Sequence, residues 1–150
     1  MDDDQIMEIL TPEESLDFLD APRLGRLVTV IAAEPNIFPV NYVLLRTGEG
    51  PGTIYLRTAP GDKLFAATVT KSAVFEVDEL THDGACSVIA RGTTRVVEQA
   101  DELERVDTAG LVPWIRTWKP TVIAIDLTRV TGRRFHFDRP AETGESEVPD

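Results

Sequence analysis

The feature that most constrains this chain is a succession of short, β-branched apolar runs that begins after Arg23 and is broken by turn-forming residues. Leu27–Ile31 is predicted as the first strand, Glu34–Asn36 as a turn, and Phe38–Arg46 as the second strand. Thr47–Gly52 then contains three glycines and a proline, which is a strong break. Short strands joined by tight turns pair as hairpins, so the sheet is predicted to be mostly antiparallel.

Further strands and three short helices are predicted along the chain. The predicted strands are Thr53–Thr58, Ala73–Val77, Cys86–Val97 with a bend or bulge at Gly92, Thr121–Leu127 and Val130–Phe137. The predicted helices are Thr11–Ala21, which has a capping pattern in Thr11 and Glu14, then Lys63–Val69 and Ala100–Ala109. A mostly β chain of this kind removes its sheet edges most economically by closing, so a closed or nearly closed barrel is predicted.

Composition limits the class of function. The 150 residues suit one domain, and the net charge of -11 argues against a nucleic-acid partner. No apolar run approaches the roughly 20 residues that a membrane span needs. The acidic N-terminus is unlike a secretory signal, and the single cysteine favours a reducing compartment, so we expect a cytoplasmic protein without a membrane partner. Acidic tails are predicted at residues 1–10 and 139–150, the second disordered, around a domain at residues 11–138.

The segment Ile54–Leu64 carries the clearest chemical pattern, which is a strand, a tight loop and the start of a helix. Free N–H groups at a helix N-terminus, together with the hydroxyl of Thr58 and the charge of Lys63, can hold a phosphate. The alternative interpretation is a plain connection in which Asp62 caps the helix. The residues alone leave both interpretations open.

Two other segments carry weaker patterns. Asn41 and Tyr42 interrupt an otherwise apolar strand, where backbone groups could meet a planar heterocycle; the alternative is a core strand with one satisfied amide. In Ala85–Val97, Ser87 shares a face with Ile89 and Arg91, while Val88 lies on the opposite face. Alone, that pattern indicates only a half-exposed strand.

Six segments, taken in order, resemble one family. They are Leu24–Leu27 (LGRL), Pro39–Tyr42 (PVNY), Arg57–Leu64 (RTAPGDKL), Phe75–Asp78 (FEVD), Ser87–Gly92 (SVIARG) and Val130–Arg134 (VTGRR). Their order and spacing, over about residues 11 to 137, are similar to the actinobacterial branch of the pyridoxamine 5′-phosphate oxidase-like flavoproteins. Two positions depart from that pattern: relatives often carry Trp at the position of Cys86, and a small or neutral residue at the position of Asp62.

The resemblance implies an antiparallel, Greek-key-like split β-barrel that forms a homodimer with FMN at the subunit interface. Thr58 and Lys63 would then lie at the FMN phosphate. The isoalloxazine would lie along the segment formed by Pro39, Val40, Asn41 and Tyr42. Ser87 and Val88 would approach the cofactor from a neighbouring strand, and Trp118 would close the pocket, from the other subunit in one arrangement.

The function expected from this resemblance is an FMN-dependent oxidoreductase that moves a hydride or electrons between a small donor and a small acceptor. No catalytic side chain and no metal site are predicted, because the cofactor supplies the chemistry. His82 and His136 are interpreted as surface or structural residues, and Cys86 as a buried thiol. The alternatives are a non-catalytic protein that stores or senses a flavin, and a relative that uses a deazaflavin or handles haem on the same fold.

Overall fold

The computed structural model describes residues 6–46, 48, 50–57, 72–111 and 121–137. Its elements in chain order are β1 Met7–Leu10, α1 Pro12–Leu19, β2 Gly25–Ile31, β3 Glu34–Val40, β4 Val43–Leu45, β5 Thr53–Arg57, β6 Ser72–Thr81, β7 Gly84–Val96, α2 Ala100–Thr108 and β8 Val122–His136. The predicted helix Lys63–Val69 and the predicted tail 139–150 lie outside the described residues. Neither α1 nor α2 is long and apolar enough to span a membrane.

The described strands form a single antiparallel sheet with the order β3-β2-β6-β7-β8-β5-β4, and β1 pairs with β8 beside this path. The order departs from chain order where β2 meets β6 and where β8 meets β5. Among the described residues no ladder joins the end strands β3 and β4, so the sheet curls without closing by hydrogen bonds. This is a split β-barrel, as the resemblance implies.

The hairpin of β2 and β3 turns earlier than predicted. Ile31 pairs with Glu34, so the two-residue turn is Ala32–Ala33, with φ of 51° and 67°, and Glu34–Asn36 belongs to β3. Two consecutive positive φ values are typical of the turn that matches strand twist. The reason lies in the register: it places Val40 in the core, and a one-residue slip would turn that side chain outward.

Two predicted strand boundaries are also wrong. The predicted strand Phe38–Arg46 is divided between β3 and β4, because the chain passes from one end of the strand order to the other at Asn41 and Tyr42. Conversely, the two strands predicted at the end of the domain are one, β8. Its pairing with β7 shifts between Arg91 and Gly92, leaving Thr128 as an extra residue. A bulge therefore replaces the predicted turn.

The N-terminal end of the fold includes four residues that composition assigns to a tail. Met7–Leu10 forms β1 and pairs with Phe135–Gly132 of β8. Leu10 is buried in the core, whereas Ile9 on the opposite face is exposed. Because side chains alternate between the two faces of a strand, β1 is held by one buried side chain and by its backbone hydrogen bonds to β8.

The main core fills the inside of the barrel. Its largest fully buried side chains include Phe75, Leu19, Leu27, Ile54, Leu56, Ile123, Ile125, Val77 and Val88. Gly25 is required here, because a Cβ at that position would lie 2.2 Å from the Phe75 ring. A second, smaller cluster lies on the outer face of β5 and β8, where α2 covers it with Val106. Since both faces of β8 are covered at Val122–Ile125, that segment is apolar without alternation.

Candidate functional site

A cleft opens where the chain passes from β3 to β4. The β2–β3 ladder ends at the pair Gly25 and Val40, and the β4–β5 ladder begins at the pair Val43 and Tyr55. Asn41 and Tyr42 therefore belong to neither ladder. The cleft has a volume of about 420 Å³ and is lined by Leu19–Pro22, Asn41–Leu45 and Ala109–Leu111. We call it the junction cleft; its size is typical of sites for small molecules.

Tyr42 fixes one wall of the junction cleft. Its hydroxyl donates to the Leu19 carbonyl oxygen at 2.7 Å and lies 3.4 Å from that of Ala21, so it ties the end of α1 to the β3–β4 connection. Its ring meets the Phe75 ring edge-on, with 4.9 Å between centroids. Burial raises the pKa of Tyr42 to about 12. The phenol is thus neutral at pH 7 and serves as a structural donor in this wall.

The predicted cofactor-binding residues on β3 and β7 do not line the junction cleft. Pro39 is exposed on the outer face of β3, whereas Val40 points into the core. Val88 is fully buried in the same core, so its side chain packs inside the barrel, and Ser87 is half-buried on the opposite face of β7. Neither β7 residue lines the junction cleft. Three strand spacings, roughly 14 Å along the sheet, separate β7 from β3.

Thr58, Lys63 and Trp118 lie outside the described residues, so their predicted roles remain predictions. Arg57, the residue before Thr58, is described and is well anchored. Its Nε donates to the Leu111 carbonyl oxygen at 2.8 Å, and a terminal nitrogen lies 2.5 Å from a carboxylate oxygen of Asp107. The end of β5 is thereby joined to the α2 side of the junction cleft. The local sequence pattern does not signal this contact, because both partners are about fifty residues away.

A polar network attaches α2 to the outer face of the sheet. Arg95 donates to both carboxylate oxygens of Glu102, at 2.9 and 2.7 Å, and its Nε donates to Asp126 at 2.6 Å. The Tyr55 hydroxyl donates to Glu102 at 2.5 Å. Hydrogen bonding, from Arg95 first, lowers the pKa of Glu102 to about 2, while burial followed by the bond to Glu102 raises the pKa of Tyr55 to about 12. We call these four residues the Arg95 network; sequence reasoning missed it, because Glu102 stands in a charged helix.

The residues that sequence reasoning weighed as nucleophile or base lie away from the cleft. His82 is exposed in the turn between β6 and β7, and the exposed His136 has its Nε2 3.6 Å from Glu8. Cys86 is buried, and burial is the main cause that raises the pKa of its thiol. In the part of the chain that the structure describes, no group of His, Cys, Asp and Glu is placed to hold a metal ion.

Comparisons with known proteins agree with this fold. The pyridoxamine 5′-phosphate oxidase family profile matches residues 11–134. A Corynebacterium glutamicum structure with that family designation is 37% identical and covers 93% of this chain and 99% of its own, with a TM-score of 0.79. The FAD-binding protein from Mycobacterium smegmatis is 36% identical, with coverages of 86% and 98% and a TM-score of 0.75. An uncharacterized Mycobacterium tuberculosis protein is 32% identical over 85 residues, which are 57% of this chain and 77% of that protein.

The profile match spans most of the split barrel, from the cap of α1 to the distal half of β8. It includes all six segments on which the resemblance depends. Both solved structures named above are covered almost completely by this chain, so the likeness extends over whole domains. The chain therefore belongs to the pyridoxamine 5′-phosphate oxidase family of split-barrel proteins.

Proposed function

We propose that this protein is a flavin-dependent oxidoreductase that holds the isoalloxazine ring of FMN in the junction cleft. The observation that carries the proposal is the cleft itself, which opens where two residues leave the strand ladders. The FAD-binding relative from Mycobacterium smegmatis supports a flavin as the ligand.

The chemistry of the cleft suits a flavin ring. An isoalloxazine is a planar, largely apolar heterocycle with hydrogen-bonding groups along one edge. The cleft offers apolar walls in Leu19, Val43 and Leu45, and one amide side chain in Asn41. Apolar walls with few polar groups are the usual composition of a site that binds and orients such a ligand.

The phosphate of the flavin would bind through Thr58 and Lys63, in the segment after β5 that the sequence predicts as a loop. Arg57 supports this assignment, because it anchors the end of β5, directly before that segment. FMN and FAD share the ring and this first phosphate, and they differ in the adenylate. The residues assigned here bind the shared part, so FAD is the second candidate ligand, favoured by the relative of that designation.

The protein's own contribution to the reaction would be binding, orientation and exclusion of water. When bound, the flavin supplies a ring that accepts and returns a hydride or electrons. Tyr42 is not a suitable proton donor at neutral pH, because its hydroxyl is engaged by Leu19 and its pKa is raised to about 12. Asp20 is the only carboxylate among the described lining residues.

A homodimer would explain why the predicted site residues lie apart in one chain. Ser87 and its strand would reach the cofactor from a second copy. The outer face of the β2–β3 hairpin supports such a contact, since Val30 is 57% exposed and Ile37 is 59% exposed. Exposed apolar side chains that adjoin one another favour an interface.

Titration with FMN, FAD, riboflavin and haem, followed by flavin fluorescence and absorbance, tests the choice of ligand. We expect saturable binding of FMN at micromolar affinity. No saturable change with any flavin up to roughly 100 micromolar, about -5.5 kcal/mol, would contradict flavin binding. The spectrum of the protein as purified also separates deazaflavin and haem from FMN.

Turnover separates an oxidoreductase from a protein that only stores a flavin. We expect a nicotinamide donor to reduce the bound flavin, and a small acceptor to reoxidise it. Lys63→Ala is expected to weaken FMN far more than riboflavin, which has no phosphate, because a charge-assisted bond is worth about 1.5–3 kcal/mol. Equal losses for the two ligands would remove Lys63 from the phosphate site.

A further inference from the structure

Arg57 joins two parts of the molecule that are far apart in sequence. Its side chain is 15% exposed, and it lies between the end of β5 and the residues that follow α2. The acceptor of its Nε–H is the carbonyl of Leu111, a residue that is 3% exposed and lines the junction cleft. A buried carbonyl without a donor is costly, so this bond restrains Leu111.

The second contact of Arg57 is of a different kind. Asp107 stands in the last turn of α2, where the helix dipole disfavours a negative charge, and Arg57 offsets that charge. The Asp107 side chain is 69% exposed, however, and ion pairs with exposed partners contribute little. The bond to the Leu111 carbonyl is therefore the more important of the two contacts.

We propose that Arg57 is a positioning residue for the flavin: it fixes Leu111, a wall of the junction cleft, to the end of β5. This inference rests on the proposed function. It differs from a role in binding the phosphate, because the group that Arg57 holds is part of the cleft wall. Losing Arg57 is thus expected to weaken the binding of the ring itself.

The test compares riboflavin with FMN in matched variants. Arg57→Met keeps the apolar stem and removes all donors, and it is expected to weaken both ligands alike, by about tenfold, the order of one charge-assisted bond. Arg57→Lys retains a donor and should recover part of the affinity. Asp107→Asn should change affinity by less than about twofold, as for an exposed ion pair. Arg105→Met is the control on the same helix, because Arg105 pairs with Asp101 on the exposed face.

A double-mutant cycle with Leu111→Ala tests the route of the effect. If Arg57 acts through the cleft wall, Arg57→Met should add little to the loss that Leu111→Ala causes. Fully additive losses would overturn the proposal. A loss for FMN without a loss for riboflavin would also overturn it, and would make Arg57 a phosphate ligand.

Amide hydrogen exchange of residues 107–111 provides a measurement that needs no flavin. Exchange is expected to be faster in Arg57→Met than in Arg105→Met, and to be slowed again in Arg57→Lys. Unchanged exchange would contradict the anchoring, whether or not a flavin binds. If the wild-type protein binds no flavin while exchange behaves as expected, the proposed function is wrong and the anchoring stands. If Arg57→Met does not fold, the comparison of Arg57→Lys with Asp107→Asn decides the same question.

Discussion

The two described helices are attached to the barrel in different ways. α1 begins with a complete capping box, in which Thr11 and Glu14 each accept from the other's backbone N–H, and it buries Leu16 and Leu19 in the main core. α2 has no side-chain cap at Gln99, and its buried residues are Val106 and Glu102. α1 is held mainly by burial in the main core, whereas α2 is held by the smaller outer cluster together with the Arg95 network.

This difference has a consequence for the junction cleft, because both helices contribute a wall. The α1 side, at Leu19, shares the main core and should move only when the barrel unfolds. The α2 side, at Leu111, belongs to the smaller outer cluster and is also held by the hydrogen bond from Arg57. We therefore expect α2 to open locally at a lower free energy than α1.

The most damaging change should be in the helix that shares the main core. Leu19 is 1% exposed, so Leu19→Ala is expected to lower the free energy of unfolding by about 2–5 kcal/mol through lost burial and a cavity. Chemical denaturation followed by circular dichroism measures the loss. A loss below about 1 kcal/mol would show that α1 is not part of the cooperative core.

A smaller effect, confined to one helix, is expected from the Arg95 network. Glu102→Gln removes the negative charge to which Arg95 and Tyr55 both donate hydrogen bonds. It should lower the free energy of unfolding by about 1–3 kcal/mol. Amide exchange should become faster in α2 while α1 remains protected. An equal acceleration of amide exchange in α1 and α2 would show that the two helices do not open separately. Glu104→Gln is a suitable control, because Glu104 is exposed on the same helix.

Lowering the pH should destabilise α2, as Glu102→Gln is expected to do. The pKa of Glu102 is lowered from 4.5 to about 2, so folding favours its ionised form. Its contribution to stability is complete above pH 4.5 and is lost as the pH falls towards 2. Exchange of α2 amides, corrected for intrinsic pH dependence, should therefore become less protected over that interval. In Glu102→Gln this component should be absent; an unchanged profile would assign the acid sensitivity to other carboxylates.

The smallest effects should come from the helix caps. Thr11→Ala removes the capping box of α1 and should cost about 1 kcal/mol. Gln99→Ser supplies a cap that α2 lacks and should stabilise it by some tenths of a kcal/mol. Thermal denaturation of the two variants measures both changes. A lower melting temperature for Gln99→Ser would contradict the expectation that α2 gains stability from a side-chain cap.

Local sequence patterns predict the elements whose formation depends on local interactions. The α1 cap, β7 and α2 depend on periodicity and turn chemistry, and the structure confirms the sequence prediction for each of them. The sequence does not predict the turn at Ala32–Ala33, because alanine carries no turn signal and the register of the core determines its position. The contact of Arg57 with Leu111 and that of Tyr55 with Glu102 join residues about fifty positions apart. A single sequence does not show which distant residues are in contact. The walls of the junction cleft could therefore be identified only from the structure.

The long strand β8 has a consequence for how the protein is made. It pairs with β7 along most of its length, with β5 through its first part and with β1 through its last part. A ribosome synthesises β8 after all of these partners, so the growing chain carries β1 and β5 without their shared neighbour until residues 122–136 emerge. The barrel is then expected to complete its folding only after residues 122–136 have emerged, and to fold slowly, as do other topologies rich in distant contacts. Stalled nascent chains that end before Thr121 should accordingly remain sensitive to protease.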